Sequence, residues 1–333
     1  MASIIMKQVD AFTTKPFCGN PAAILLHAES FSAETMQQIA AENCTLESAF
    51  VTPPDSPEAA HRVRFFTSDL EADFSGHALL AACFALAEEG MVHLDHGVTQ
   101  VLIETNAGII PVEYYADLNA KPAPQSKGAS AESVPLVVGG RPIGVLERIM
   151  IQQTMPGFKP TNVQASDIAK TLGIPVSEIS ATGLPVQIVR TGLAQMLVPI
   201  RSRETIAGLC PDLIKLRLLN KKLDVLSTEV FSLETNNEGS AVYSRHFAPA
   251  MGMWEVDASG AGAASIAAYL ISHGAVSPGL MMMEQGPDVD RLTRVVVQVG
   301  EMENGNIPVQ FGGLAVTSTT REVTLQSEEP AIS

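Results

Sequence analysis

Two stretches of the sequence are apolar on every side. Ser75-Gly76-His77-Ala78-Leu79-Leu80 opens a run of Ala and Leu that closes at Gly90, and Ser259-Gly260-Ala261-Gly262-Ala263 opens a matching run that closes at Gly274. Each begins on a Ser-Gly pair, which suits a tight turn and an N-cap, and ends on a Gly able to take a left-handed C-cap. A helix without a polar face is buried, so each stretch predicts the core of its own lobe. Arg64-Phe65-Phe66 precedes the first helix and Arg245-His246-Phe247 the second. The pattern predicts two lobes related by duplication.

Alternation predicts strands at residues 4–12, Ala22–Leu26, Glu47–Val51 and Arg62–Phe66, with a helix at 32–43 capped by Ser32. Val98–Ile103 and Ile109–Tyr115 read as a hairpin turned by Asn106-Ala107-Gly108. Residues 118–134 are rich in Ala, Pro, Ser and Lys and read as a linker or insertion. Beyond it, strands are expected at Met150–Met155, Val186–Arg190, Gln195–Pro199 and Leu223–Leu233. Helix is expected at 166–173 and through most of 203–219. Arg294–Val299 and Gly312–Thr317 alternate like barrel strands, and the tail after Thr324 is polar. The division is an N-terminal lobe over 1–117, a linker over 118–134 and a C-terminal lobe over 135–310. Residues 311–333 supply a last strand, able to return to the N-terminal lobe, and the tail.

At 333 residues, two lobes of about 150 residues each are the ordinary expectation. A net charge of −15 argues against nucleic acid or an anionic membrane as the main partner. Cys18, Cys44, Cys83 and Cys210 lack CxxC spacing, which points to neither a disulfide framework nor a zinc site and fits a reducing cytoplasm. The N-terminus has no signal-peptide pattern, and no stretch reaches the ~18 apolar residues of a membrane span.

The order of several short pieces resembles the phenazine biosynthesis-like (PhzF) isomerase family. These are Val9-Asp10-Ala11-Phe12, Gly19-Asn20-Pro21-Ala22-Ala23, Glu47-Ser48-Ala49-Phe50, Arg64-Phe65-Phe66-Thr67, Glu71 and Gly76-His77-Ala78. Arg245-His246-Phe247-Ala248-Pro249, Glu255, the Gly260 helix start, Glu284-Gln285-Gly286, Arg291 and Gly312-Gly313-Leu314-Ala315 continue it. The resemblance implies an α+β fold of diaminopimelate epimerase type, in which two pseudo-symmetric lobes each roll a mixed sheet around a central helix. It places the active site in the cleft between them. It further implies a glutamate that moves a proton between carbons without metal or organic cofactor, and Glu47 stands at the matching position. Homodimers and secondary metabolism are carried over with it.

A partly desolvated carboxyl suits that task, because burial raises its pKa toward the working pH. A lone Glu at a strand start is otherwise more often a surface ion-pair partner. His77 follows the helix-start Gly, where the helix dipole favours its neutral form and it could serve a substrate oxygen or Glu47; the competing reading is a simple cap. Ser75, Gly76, Ser259, Gly260 and Ala261 outline two helix starts that suit an anion, and Asn20 is counted with these substrate-binding residues. Internal capping by Ser75 and Ser259 is the alternative. The expected partner is a small molecule, anionic or with an enolisable oxygen.

The chain departs from the family at Glu255-Val256-Asp257-Ala258-Ser259-Gly260-Ala261. Val256 replaces the family's functional Asp and Ala261 its Ser, which leaves Asp257 as an auxiliary candidate one place off and predicts a larger or less polar substrate. Two-base racemases of this fold carry Cys where Ser75 and Ser259 stand, and a serine alcohol is too weak an acid to replace a thiolate. His93 and His96 lack a third ligand nearby in sequence, so no metal site is read there. Leu280-Met281-Met282-Met283 reads as adaptable packing or a pliable pocket wall. The alternatives to a proton-moving isomerase are an epimerase, dehydratase or cyclase on a bulkier substrate, and a non-catalytic binding protein.

Overall fold

Ser75 and Ser259 each cap a 13-residue helix, Gly76–Glu88 and Gly260–Ser272, the hydroxyl accepting from the N–H three residues on. Both helices end alike. Gly90 and Gly274 take φ of +68° and +66°, and the next residues, Met91 and Ala275, donate back to the carbonyls of Leu86 and Leu270. The glycines are therefore left-handed caps, as the sequence predicts.

A computed structural model describes residues 2–43, 45–121, 133–138, 141–287, 292–302 and 306–325. Most of the expected linker, the polar tail, Cys44 and Arg291 lie outside the described residues. In chain order the elements begin with β1 (Ala2–Ala11), β2 (Asn20–Leu25), α1 (Ala33–Glu42), β3 (Glu47–Thr52), β4 (His61–Phe66), β5 (Glu71–Ala72) and α2 (Gly76–Glu88). Next come β6 (Gly97–Thr105), β7 (Gly108–Asp117), β8 (Val134–Val138), β9 (Arg141–Gln152), β10 (Gly157–Pro160), α3 (Ala165–Leu172), α4 (Ser177–Ser180) and β11 (Gln187–Thr191). They continue with β12 (Leu193–Pro199), α5 (Arg203–Ala207), α6 (Leu213–Leu223), β13 (Ser227–Ser232), β14 (Ser240–Phe247) and α7 (Gly260–Ser272). The last are β15 (Gly279–Gln285), β16 (Thr293–Val299), β17 (Val309–Gly313) and β18 (Ala315–Leu325).

The first unit comprises Met1–Phe17, Pro21–Ile149 and Leu314–Ser333. Its strands run β18-β1-β2-β3-β4-β6-β7-β9-β8, with β2–β3 and β4–β6 parallel. β18 pairs with β1 along the whole strand, from Ala2 opposite Leu325 to Ala11 opposite Ala315. α2 packs against β1, β3, β4, β8 and β18, and every residue from His77 to Ala87 is buried. A sheet wrapped on a helix leaves no face for polar residues, which is why this one has none.

The second unit comprises Cys18–Asn20 and Met150–Gly313. Its strands run β10-β11-β12-β13-β14-β15-β16-β17, with β12–β13 and β14–β15 parallel. From β10 to β17 this repeats the order and the parallel pairs of β18 to β9 in the first unit, around α7 in place of α2, and β8 has no counterpart. Two expectations are corrected. The boundary lies at Ile149/Met150 rather than at 134/135, because β9 begins at Arg141 and pairs with β8 through Val134–Val138. The helical stretch 203–219 is two helices, because the chain breaks at Gly208 and restarts where Asp212 caps α6. Leu280–Met283 lies in strand β15, paired with β16 throughout and with β14 at Met282 and Met283.

Among the described residues no helix is long and apolar enough to cross a membrane. Leu80 is fully buried in α2 and Ile214 is 69% exposed on α6. Leu80→Ala is expected to cost about 2–5 kcal/mol and Ile214→Ala under about 0.5 kcal/mol, read from urea unfolding midpoints.

Candidate active site

In the first unit the antiparallel pairing of β3 with β4 sets Ser48 opposite Phe66 and Ala49 opposite Phe65, which brings Glu47 to the start of β3. The loop from β4 to α2 is held by a bidentate ion pair. Arg64 donates through Nε and Nη2 to the two carboxyl oxygens of Glu71, both at 2.8 Å. Hydrogen bonding from Arg64 keeps the Glu71 carboxyl below the usual carboxylate range. Ser75 then caps α2 by accepting from the Ala78 N–H at 3.4 Å. The N–H groups of Gly76 and His77, ahead of that cap, have no partner within the helix, as helix geometry requires.

His77 Nδ1 stands 3.5 Å from Glu47 Oε2 and 3.3 Å from Ser75 Oγ. Both side chains are nearly buried, at 10% exposure for His77 and 12% for Glu47. Glu47 Oε2 and His77 Nε2 are buried without a hydrogen-bond partner. The 3.5 Å separation is thus ion-pair range without hydrogen-bond geometry. Burial lowers the pKa of His77 more than Glu47 raises it, so the imidazole is neutral near pH 7. The structure brings Glu47, Ser75, Gly76 and His77 together at one helix start, with a carboxyl that has an unused oxygen.

The second unit repeats the frame. Arg245 donates through Nε and Nη2 to Glu255 at 2.7 and 2.8 Å, and through Nη1 to the carbonyls of Ile206 and Leu209, both at 2.9 Å. Ser259 caps α7 through the Gly262 N–H at 3.0 Å. Gln285 Oε1 accepts from the Ser259 N–H at 2.7 Å, and its Nε2 is buried without a partner. Asn20 is fully buried and donates through Nδ2 to the Ala258 carbonyl at 2.8 Å, so its amide holds the approach to α7. Its Oδ1 has no partner. Ala261 follows the Gly260 helix start, and Asp257 is exposed one turn before it.

Sequence reasoning passes over two residues here. Glu229 on β13 is fully buried, and its Oε1 lies 2.5 Å from Nδ1 of His246 on β14. The available signal is a glutamate inside the otherwise uncharged strand Thr228-Glu229-Val230-Phe231. His93 and His96 are exposed near Asp95 and Asp117 respectively, and no group of three or more His, Cys, Asp or Glu stands together among the described residues. Burial pushes the Cys83 thiol, inside α2, up to about 12, which makes it an inert core group.

A sequence model of phenazine biosynthesis-like proteins matches residues 9–321. The chain belongs to this family. The uncharacterized isomerase YfhB of Bacillus subtilis is 29% identical over 313 residues, 94% of this chain and 96% of that protein. An uncharacterized isomerase of Clostridium acetobutylicum is 27% identical over 322 residues, 96% of this chain and 97% of its own. The crystal structure of the Bacillus anthracis phenazine biosynthesis protein of the PhzF family has a TM-score of 0.80 at 27% identity, covering 98% of this chain and all of that one. A probable proline racemase from Agrobacterium radiobacter K84 shares the fold, with a TM-score of 0.64 at 14% identity over 98% of this chain and 94% of its own. The family's proteins are isomerases on an α+β fold of diaminopimelate epimerase type, and this chain is one of them.

A buried neutral His77 makes stability depend on pH. Its folded pKa lies below the ordinary 6.5, so its contribution is present above pH 6.5 and is lost as the pH falls toward the folded value, where only the unfolded chain takes the proton. Thermal midpoints between pH 7 and 5 should fall less steeply in His77→Asn than in the wild type.

Proposed function

We propose that the protein is a cofactor-independent isomerase that moves a proton between carbons of a small cyclic or conjugated, oxygen-bearing substrate, with Glu47 as the carrier. The observation that carries this reading is the Glu47 carboxyl itself: nearly buried, fixed at the start of β3, with Oε2 unpartnered beside a neutral imidazole. A general base needs a reachable lone pair and an environment that lets it both take and return a proton. His77 serves as a polar partner that orients the carboxyl or the substrate oxygen. N–H groups at the Gly76 and Gly260 helix starts, which helix geometry leaves without an intrahelical partner, favour an anionic or enolate oxygen, with Ser75, Ser259 and Ala261 bordering them.

The second unit offers fewer polar contacts in its helix approach than the family pattern, since Val256 and Ala261 stand where the family has Asp and Ser. Together with Asp257, exposed and therefore at most auxiliary, this favours a less polar substrate. Asn20 donates through Nδ2 to the Ala258 carbonyl and acts on substrate through the backbone it holds, while its Oδ1 keeps no hydrogen-bond partner. On the same reading the enzyme works in the cytoplasm, in secondary metabolism and as a homodimer; these rest on the family likeness.

The test is uptake of deuterium from heavy water into the carbon skeletons of a panel of cyclic and conjugated carboxylic acids, followed by mass spectrometry. The wild type should label at least one acid, and Glu47→Gln should slow that labelling by about 10²–10⁴-fold with an unchanged melting temperature. Labelling at the wild-type rate in Glu47→Gln would sink the assignment.

A further inference from the structure

The strand registers align the two units residue by residue. In the first, one cross-strand row runs Ala49 on β3, Phe65 on β4, Ala72 on β5. In the second, the same row runs Glu229 on β13, His246 on β14, then Val256, which bridges His246 through its N–H at 3.0 Å. Directly opposed residues of antiparallel strands share a face, so the three side chains of each row lie on one side. The helix above the row differs too. Ala78 stands in the third position of α2, where α7 has Gly262; a Cβ there would lie 1.7 Å from Glu229 Oε1 and 3.2 Å from His246 Nδ1. An apolar triad in one unit is thus a buried carboxylate and imidazole, with room made for them, in the other.

Folding does not require the polar set, because the same frame stands without it in the first unit. We propose that His246 is the acid–base group of a small-molecule site in the second unit, with Glu229 as its positioning residue. This rests on the isomerase reading above. With Nδ1–H donated to Glu229, the His246 Nε2 carries a lone pair toward a substrate O–H or N–H. The proton passes to Nε2, its bonding electrons stay on the substrate heteroatom, and the imidazolium formed is stabilised by the Glu229 carboxylate until the proton returns. The neighbouring charges are engaged elsewhere: Arg245 with Glu255, and Glu284 of β15 with Asn236, Asn237 and Ser240. The first turn of α7 carries no titratable group.

The probe is anthranilate, a stable cyclic acid with an N–H to offer, added to the full-length protein labelled with ¹⁵N-histidine. The expected result is a shift of the His246 Nε2 resonance that Glu229→Gln abolishes. The triple variant Glu229→Ala/Gly262→Ala/His246→Phe, which copies the first unit, should melt no lower than the wild type yet bind anthranilate at least about tenfold more weakly. A triple variant that binds as the wild type, or a His246 resonance unmoved by the probe while His77 responds, overturns this inference alone. If neither histidine responds, this inference falls, and the isomerase reading of Glu47 is decided separately by the deuterium-uptake experiment.

Discussion

Both helix starts depend on one interaction used twice, a bidentate arginine–glutamate pair between a strand and the loop that follows it. Arg64 grips Glu71 and Arg245 grips Glu255, each through Nε and Nη2. In each unit the glutamate stands four residues before the Ser that caps the helix, in Glu71-Ala72-Asp73-Phe74-Ser75 and Glu255-Val256-Asp257-Ala258-Ser259. Hydrogen bonds between charged groups are worth about 1.5–3 kcal/mol before solvent screening reduces them. Their larger effect here is geometric: a planar fork on a carboxylate admits one orientation, so the loop and the first helical turn inherit it. Lysine would keep the charge and lose the orientation.

On that shared frame the two units have diverged in what they put beside the helix. The first sets a carboxyl with an unused oxygen at the start of β3 and a buried imidazole in the second position of α2. The second has Ser227 and Ala261 at those places, and moves carboxylate and imidazole into the next cross-strand row. Such groups are costly to bury unless paired and hydrogen-bonded, and their presence on one side of a duplication, with absence on the other, is the difference on which the proposed chemistry rests.

Much of the frame is legible in the sequence for physical reasons. α2 and α7 announce themselves because a helix wrapped by a sheet is apolar all round and still needs a Ser cap and a terminal Gly. Glu47 and His77 stand out through family spacing, and the structure then sets them 3.5 Å apart. What the sequence hides is what non-local pairing decides. Met281–Met283 has weak strand preference, and only its two neighbours, β14 and β16, make it β15. β10 and β14 escape for the same reason, whereas the break between α5 and α6 is marked by Gly208 and Pro211 for a reader who weighs them above apolar spacing. Glu229 is hidden because its partner, His246, lies 17 residues away across a strand pair.

The central claim is that this fold carries one proton from carbon to carbon on Glu47. Its most direct measurement is a single turnover, in ordinary water, of the acid identified by exchange, synthesised with deuterium on the carbon that loses its proton. A fraction of the label should appear on the accepting carbon of the product, the rest being lost to solvent. Product that forms with the label still on its original carbon would contradict the account.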